Sequence, residues 1–294
     1  MKEAPSIEPR RLIDYLGLAT DFLAARSIEG ARLDAELLLA EVLDTGRVEL
    51  YTSYSRELGA SEVARYRQLL QRRASREPLA YIIGRREFFS LDFAVDRRVL
   101  IPRPETELLV ELAIDRLESI GESGRTDMLE IGTGSGAVAV AIAVKVGWAR
   151  ILATDLCEAT LEVAPDNARR HGVDGRVEFA AGDLFDGANG QGPFSLVVSN
   201  PPYIKTGEIA SLAPEVAHWE PRRALLGGSE GMSVSAPLVS AAADYLVPEG
   251  WLLVEVGTQA AQVRQLFESQ GWREVACHRD LAGRDRVVAG KRPA

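Results

Sequence analysis

The chain has 294 residues, 46% of them hydrophobic, with 34 basic against 43 acidic side chains and a net charge of −9. That length can bury a substantial core in two domains, and the acidic balance argues against a protein that grips duplex phosphates. No apolar run approaches the ~18 residues of a membrane span, residues 1 to 5 lack a signal-peptide hydrophobic region, and two cysteines without a Cys-x-x-Cys suit a reduced cytoplasm and no structural zinc.

Residues 8 to 75 read as helices. Leu12, Tyr15, Leu16, Ala19, Phe22 and Leu23 recur at helical spacing, as do Ala35, Leu38, Leu39 and Val42, and then Val63, Tyr66, Leu69 and Leu70. Gly30 and the Asp44-Thr45-Gly46 turn punctuate them, and a small helical bundle is expected. Residues 65 to 103 hold ten arginines against four acids, a local charge of +6. Such a segment either steers an acidic partner or is a solvated helix face beside a salt-bridged linker. Phe89, Leu91, Phe93 and Val95 alternate with Ser90, Asp92 and Ala94, so residues 86 to 96 read as a strand or hairpin bridging to the next domain.

From residue 104 helix and strand alternate, which argues for an α/β fold with a mostly parallel sheet covered on both faces. Pro104 begins a helix whose Leu108, Leu109, Leu112 and Ala113 face inward. Strands are expected near 127–131, 151–155, 177–181, 194–199, 251–256, 273–277 and 285–289, seven in all, with the ligand crevice at their C-terminal ends. The first runs into Gly132-Thr133-Gly134-Ser135-Gly136 and a small apolar helix, the layout of a Rossmann-like nucleotide site. Asp155, nineteen residues past Gly136, ends the second strand, where a carboxylate binds ribose hydroxyls. The G-x-G-x-G spacing differs from the G-x-G-x-x-G of dinucleotide sites. Glu130, two residues before the first glycine, repels a pyrophosphate and attracts an ammonium. Its alternative is a solvated strand-end carboxylate. Together these features favour S-adenosylmethionine over a nicotinamide cofactor. Asp183 ends the third strand, where it can accept from an adenine amino group while Leu184 or Phe185 packs on the adenine face. Ordinary turn chemistry is the alternative there.

The fourth strand, Phe194 to Ser199, ends at Asn200-Pro201-Pro202-Tyr203. The prolines hold Asn200 and Pro201 rigid with their carbonyls displayed. A planar nitrogen nucleophile has two N–H donors, which the Asn200 side-chain carbonyl and the Pro201 backbone carbonyl can hold so that its lone pair faces an electrophile. Tyr203 can stack on the flat group. A sulfonium methyl is a strong electrophile and the alkylated nitrogen sheds its proton readily, so alignment and electrostatics replace a general base. Taken alone, the tetrapeptide also reads as a Pro-Pro turn. The segment 205–232, with Glu215, His218, Trp219 and Glu220, reads as a lid or as a surface loop. His171, His218 and His278 have no metal-ligand spacing.

The motif series resembles the protein N5-glutamine methyltransferases, specifically the peptide chain release factor methyltransferases of the HemK/PrmC family. Besides the glycine turn, the likeness rests on Glu77 to Gly84, Arg86-Glu87-Phe88-Phe89, Leu100 to Glu107, Ser199 to Ile204, Trp219-Glu220-Pro221, and Ala224-Leu225 with Gly227-Gly228. The chain departs from the pattern at Cys157, Thr160-Leu161, Leu184 and Trp219, none of them a proposed catalytic group. The resemblance implies a class I S-adenosylmethionine-dependent methyltransferase that methylates the glutamine of a Gly-Gly-Gln loop in bacterial release factors. It also implies a cofactor site of Glu130, Gly132, Thr133, Gly134, Ser135, Gly136, Asp155, Asp183, Leu184 and Asn200, with Asn200, Pro201, Pro202 and Tyr203 holding the glutamine. The expected organisation is a helical substrate-recognition domain at 1–84, a strand or hairpin linker at 85–103 and a methyltransferase domain at 104–294. A cytoplasmic monomer with no metal and no stable nucleic-acid partner is expected. The rivals are glutamine methylation of a ribosomal protein, N6-adenine methylation of DNA or RNA, and a noncatalytic binding protein of the same fold.

Overall fold

The computed structural model describes residues 11–121 and 127–294. The first ten residues, on which the signal-peptide reading falls, lie outside the described residues. The chain divides into two compact units, Met1–Gly84 and Arg85–Ala294.

The first unit is helical: α1 (Leu12–Ala24), α2 (Ala31–Leu43), α3 (Arg47–Thr52), α4 (Ala60–Ala74) and α5 (Leu79–Ile83). The 3.6-residue period of α1 puts Leu12, Leu16, Ala19 and Leu23 on one buried stripe. That stripe joins Leu38 and Leu39 of α2 and Tyr66 of α4 in one core, where the Tyr66 hydroxyl donates to the Ala35 carbonyl at 2.9 Å. Gly30 (φ 70°) and Asp44 (φ 49°) take the left-handed backbone that bounds α2.

The second unit opens with a hairpin, β1 (Arg85–Phe88) and β2 (Leu91–Ala94), paired antiparallel from Arg85↔Ala94 to Phe88↔Leu91. Phe89 and Ser90 both have positive φ (52° and 60°), so Phe89 belongs to the turn rather than to the alternating strand expected of it. Phe88 and Phe93 are buried in the core of this unit, to which the hairpin belongs. A single 3₁₀ turn at Pro104–Thr106 then leads into α6 (Glu107–Ile120). Leu109, Val110, Ala113 and Leu117 form its buried face, while Leu108 and Leu112 are only half-buried beside it.

The main sheet contains β3 (Met128–Ile131), β4 (Ile151–Asp155), β5 (Val177–Ala181), β6 (Phe194–Ser199), β7 (Leu246–Glu255), β8 (Arg273–Arg279) and β9 (Asp285–Lys291). Their order is β5-β4-β3-β6-β7-β9-β8, with β9 inserted antiparallel between β7 and β8 and the first five strands mutually parallel. The parallel strands are joined by crossovers carrying α7 (Ala137–Lys145), α8 (Ala164–Arg170), α9 (Pro214–Trp219) and α10 (Ser235–Tyr245), and α11 (Ala260–Ser269) precedes β8. Alternation along β6 sends Leu196 and Val198 into the core beneath α6 and α7, and Val197 into the core formed with α10 and α11. β7 starts five residues before the expected 251: Glu249 at φ 67° and a register shift between Phe194 and Leu196 let the strand run past Pro248.

One side chain links several elements of this unit. Asn167 of α8 is fully buried, accepts from the Ala94 amide at 2.8 Å, and donates from Nδ2 to the carbonyls of Ala94 (3.0 Å) and Ser135 (2.9 Å). The arginines of residues 65 to 103 are extensively paired: Arg72 with Glu77, Arg73 with Asp34, Arg98 with Asp96 and Glu162, and Arg103 with Glu220. Arg97 lies over the Trp219 ring at 4.1 Å. The salt-bridged reading of that segment therefore holds over a free basic patch.

Candidate active site

The sheet reverses direction of winding between β3 and β6, the position where an open parallel sheet leaves a crevice at its C-terminal edge. β3 delivers the glycine turn there. Gly132, Gly134 and Gly136 have φ of 78°, 57° and 79°, a conformation that side-chain-bearing residues rarely adopt. The amides of Gly132 and Thr133 both donate to the Thr154 carbonyl, at 2.8 and 2.9 Å, which pins the turn onto β4. A Cβ built on Gly132 or Gly134 meets nothing within 4 Å, so their faces are open, whereas one on Gly136 would lie 3.1 Å from Ala164 Cβ. The third glycine, at the start of α7, is a packing position against the first residue of α8.

Asp155 at the end of β4 is half-buried; Oδ2 accepts from the Gly134 amide and Oδ1 from the Cys157 amide, each at 2.9 Å. The expected hydroxyl-binding carboxylate is thus oriented by backbone amides, with further lone pairs on each oxygen. Asp183 lies exposed just beyond β5, and Leu184 follows it in left-handed backbone (φ 48°). Phe185 is withdrawn from the crevice: it is buried and stacks on Tyr245 at 4.3 Å.

Glu130 differs from the solvated strand-end acid that its position allowed. It is 3% exposed, and its Oε2 accepts from the Thr133 hydroxyl at 2.7 Å and the Ala139 amide at 3.1 Å. Burial pushes its pKa up to about 8, with nearby Asp155 adding to the rise and these two hydrogen bonds opposing it.

Asn200 meets this group across a small cavity of about 60 Å³, whose walls include Glu130, the turn from Gly132 to Ser135, Phe88, Arg103, Thr106 and Asn200. Asn200 Nδ2 donates to Thr106 Oγ1 at 3.1 Å, which leaves its carbonyl oxygen as the free end. Pro201 is buried and Pro202 half-buried behind it. Tyr203 is not a cavity wall. Its ring lies on Gly257, where an added Cβ would sit 2.8 Å from Cδ2, and burial followed by the charge of Glu255 raises its hydroxyl pKa.

Sequence reasoning assigned no role to Phe88, Arg103 or Thr106, and read Glu220 only as part of a segment that is a lid or a surface loop. Arg103 Nη2 donates to Glu220 Oε1 at 2.5 Å, and Glu220 Oε2 accepts from the Ile101 amide. Burial raises the Glu220 pKa, opposed by Arg103. The available signal was the density of motif residues in Leu100 to Glu107 and Trp219 to Pro221; the pairing itself spans 117 residues. The segment 205–232 is tied at both ends: Ile204 forms a parallel bridge with Leu226, its amide donating to the Leu225 carbonyl and its carbonyl accepting from the Gly227 amide, and the Thr206 amide donates to the Gly228 carbonyl. It is an excursion anchored at its base.

Sheet order, glycine turn and strand-end acids together define a Rossmann-like methyltransferase, and residues 128–219 match the family described as "Methyltransferase domain". The catalytic domain of hMettl16, solved in complex with a 3'UTR hairpin, superimposes with a TM-score of 0.55 over 81% of this chain and 84% of that one; at 14% identity the likeness is one of fold. Residues 14–84 match the PrmC N-terminal domain. The chain is 42% identical to a release factor glutamine methyltransferase from Geobacter sulfurreducens, covering 99% of each chain. It is 37% identical to another from Rhodopirellula baltica, covering 98% of this chain and 99% of that one. The chain belongs to the release factor glutamine methyltransferase family.

Proposed function

We propose that the chain transfers the methyl group of S-adenosylmethionine to the side-chain amide nitrogen of the glutamine in the Gly-Gly-Gln motif of peptide chain release factors. The observation that carries the reading is Asn200, tied back by Thr106 with its carbonyl free, in the same cavity wall as the glycine turn and Glu130. The names of full-length relatives supply the substrate.

The residues present fit the cofactor. Gly132 and Gly134 offer uncovered backbone to a ligand that must approach closely, and Asp155, oriented by two amides, has lone pairs left for ribose hydroxyls. Asp183, exposed beyond β5, would accept from the adenine amino group, and half-buried Leu184 would pack on the adenine face. Thr133, Ser135 and Gly136 act through the shape of the turn. Glu130, with both its hydrogen bonds on Oε2, keeps Oε1 for an ammonium. When bound, S-adenosylmethionine supplies an electrophilic sulfonium methyl. Asn200 Oδ1 and the Pro201 carbonyl hold the two amide hydrogens of the glutamine, which turns the nitrogen lone pair toward that methyl. Pro202 stiffens the loop and Tyr203 braces it against Gly257.

The helical unit, residues 1–84, serves substrate recognition, and the enzyme works as a cytoplasmic monomer without stable nucleic-acid binding. Extensive pairing of the arginines in 65–103 with acids supports the last point.

The test is transfer from labelled S-adenosylmethionine to purified release factor, to its Gln→Ala variant, and to single- and double-stranded DNA. Label on the wild-type factor alone is expected. Label on DNA alone, or equal label on the Gln→Ala factor, refutes the substrate.

A further inference from the structure

One buried acid of the second unit has no part in the chemistry above. Glu255, the last residue of β7, is 1% exposed, and neither carboxylate oxygen meets a donor in full hydrogen-bonding geometry. Buried polar groups are nearly always satisfied, so an acid kept this way needs a reason. Its place suggests one. Ser199 pairs with Val254, so the next residues along, Asn200 and Glu255, leave adjacent strands side by side. Thr106 serves both. Its Oγ1 accepts from Asn200 Nδ2 at 3.1 Å, and its hydroxyl is close enough to Glu255 to hold that carboxyl's pKa down.

We propose that Glu255 is a positioning residue for the methyl-accepting amide: acting through Thr106, its carboxylate sets the direction of the hydrogen-bond chain that keeps the Asn200 carbonyl facing the cavity. The inference rests on the role given to Asn200 under the proposed function.

The logic follows from proton inventory. A threonine hydroxyl has one proton to give, and an ionised carboxylate can only accept. With Glu255 ionised, Thr106 gives that proton to Glu255, its oxygen accepts from Asn200 Nδ2, and Asn200 Oδ1 points outward. A neutral Glu255 can donate to Thr106. The Thr106 proton then turns toward Asn200, whose amide must flip to accept it. Asn200 now shows N–H donors to a substrate amide that also brings donors.

Four charged or titratable groups face Glu255: Tyr203 after β6, Arg286 on β9, and Arg103 and Glu105 ahead of α6. Burial raises the Glu255 pKa to about 7, with Thr106, Arg286 and Arg103 opposing the rise and Glu105 adding to it. The chain therefore reverses within the ordinary working range, in the productive sense above that pH and the unproductive one below. Glu130, at about 8, borders the same cavity, and burial, Thr133, Ala139 and Asp155, not Glu255, set its shift.

The test compares wild type, Glu255→Gln, Thr106→Val and the double variant. A buried amide can donate or accept and so dictates no direction. At saturating cofactor and release factor, wild-type kcat should rise with pH and level off near 7, changing about tenfold per unit well below that point. Glu255→Gln should lose this limb and about tenfold or more in kcat at pH 8, with cofactor Kd within about twofold of wild type. Thr106→Val should do the same, and the double variant should be no worse than either single one.

A second arm needs no substrate. The side-chain amide ¹⁵N signal of Asn200, identified by its loss in Asn200→Ser, should titrate near pH 7 in wild type and not in Glu255→Gln or Thr106→Val. An unchanged acid limb in Glu255→Gln, multiplying losses in the double variant, or a non-titrating Asn200 signal in wild type overturns the inference. If wild type methylates no release factor, the functional reading fails separately and the amide titration still decides. If Glu255→Gln does not fold, Thr106→Val decides alone.

Discussion

In the proposed reaction Asn200 holds the substrate amide and Glu130 the cofactor ammonium, each through one oxygen. Thr106 accepts one N–H of Asn200 Nδ2, which fixes the sense of the amide and leaves Oδ1 without a protein donor, able to face a substrate. Asn200→Ala should lower kcat by roughly 10²-fold or more, as does the loss of other preorganised polar contacts, while calorimetry finds the cofactor affinity largely kept; near-normal turnover would remove Asn200 from the mechanism. Glu130 yields a sign. Burial holds its pKa near about 8, so at pH 7 it is mostly protonated in the free protein. An ammonium beside it favours the ionised form, so cofactor binding at pH 7 should release up to about one proton. Affinity should then rise with pH between 6 and 8, by at most about tenfold per unit. Calorimetry in buffers of different ionisation enthalpy measures this, and Glu130→Gln should abolish the proton release.

The elements around the cavity are held by close backbone approaches. A Cβ on Gly227 would lie 2.8 Å from both the Pro202 carbonyl oxygen and Tyr203 Cα, and one on Gly231 would lie 2.5 Å from the Tyr203 carbonyl oxygen. The segment after α9 is thus packed directly on the Asn-Pro-Pro-Tyr loop. Gly227→Ala should displace that loop and cut methyl transfer by an order of magnitude or more, because an error of about 1 Å in alignment is costly, with cofactor affinity unchanged; equal activity would show that the loop tolerates the shift. These contacts also mark where sequence legibility ended. The strands, the glycine turn and Asn200 were readable because period and spacing are local properties. The Asn200–Thr106 bond spans 94 residues and the Arg103–Glu220 pair 117, so no local pattern announces them. Glu130 was placed correctly at its strand end, yet its burial was invisible because the covering atoms, from Thr133 and Ala139, depend on how the turn folds back. Phe89 was misread as a strand residue because alternation continues through a two-residue turn that lacks glycine.

At the scale of the whole molecule, acids raised by burial and acids held down by ion pairs act in opposite directions on stability. Glu130 and Glu255 have folded pKa values raised to about 8 and about 7, chiefly by burial. Their contribution is fully present below the ordinary carboxyl pKa and is lost as pH rises through 7 and 8. Glu249, bonded to Lys291 and Arg273, and Asp280, bonded to the Arg284 amide and to Arg286, are depressed to about 2. Theirs is present above the ordinary value and is lost as pH falls toward 2. Urea unfolding should therefore give a stability maximum on the acid side of neutrality, with a decline toward pH 8.5. Glu130→Gln should flatten that decline by up to a few kcal/mol; an unaltered slope would mean that Glu130 is ionised without penalty.

Asn167 has a consequence at a distance from the chemistry. Its side chain holds both polar groups of Ala94 in the hairpin and the Ser135 carbonyl in the glycine turn. The Ala94 amide can then meet deuterium only when this clamp opens, and a ligand that steadies the turn raises the free energy of that opening. Cofactor should slow exchange at Ala94, making this one amide a reporter of occupancy. In Asn167→Ala the same amide should exchange quickly and identically with or without cofactor.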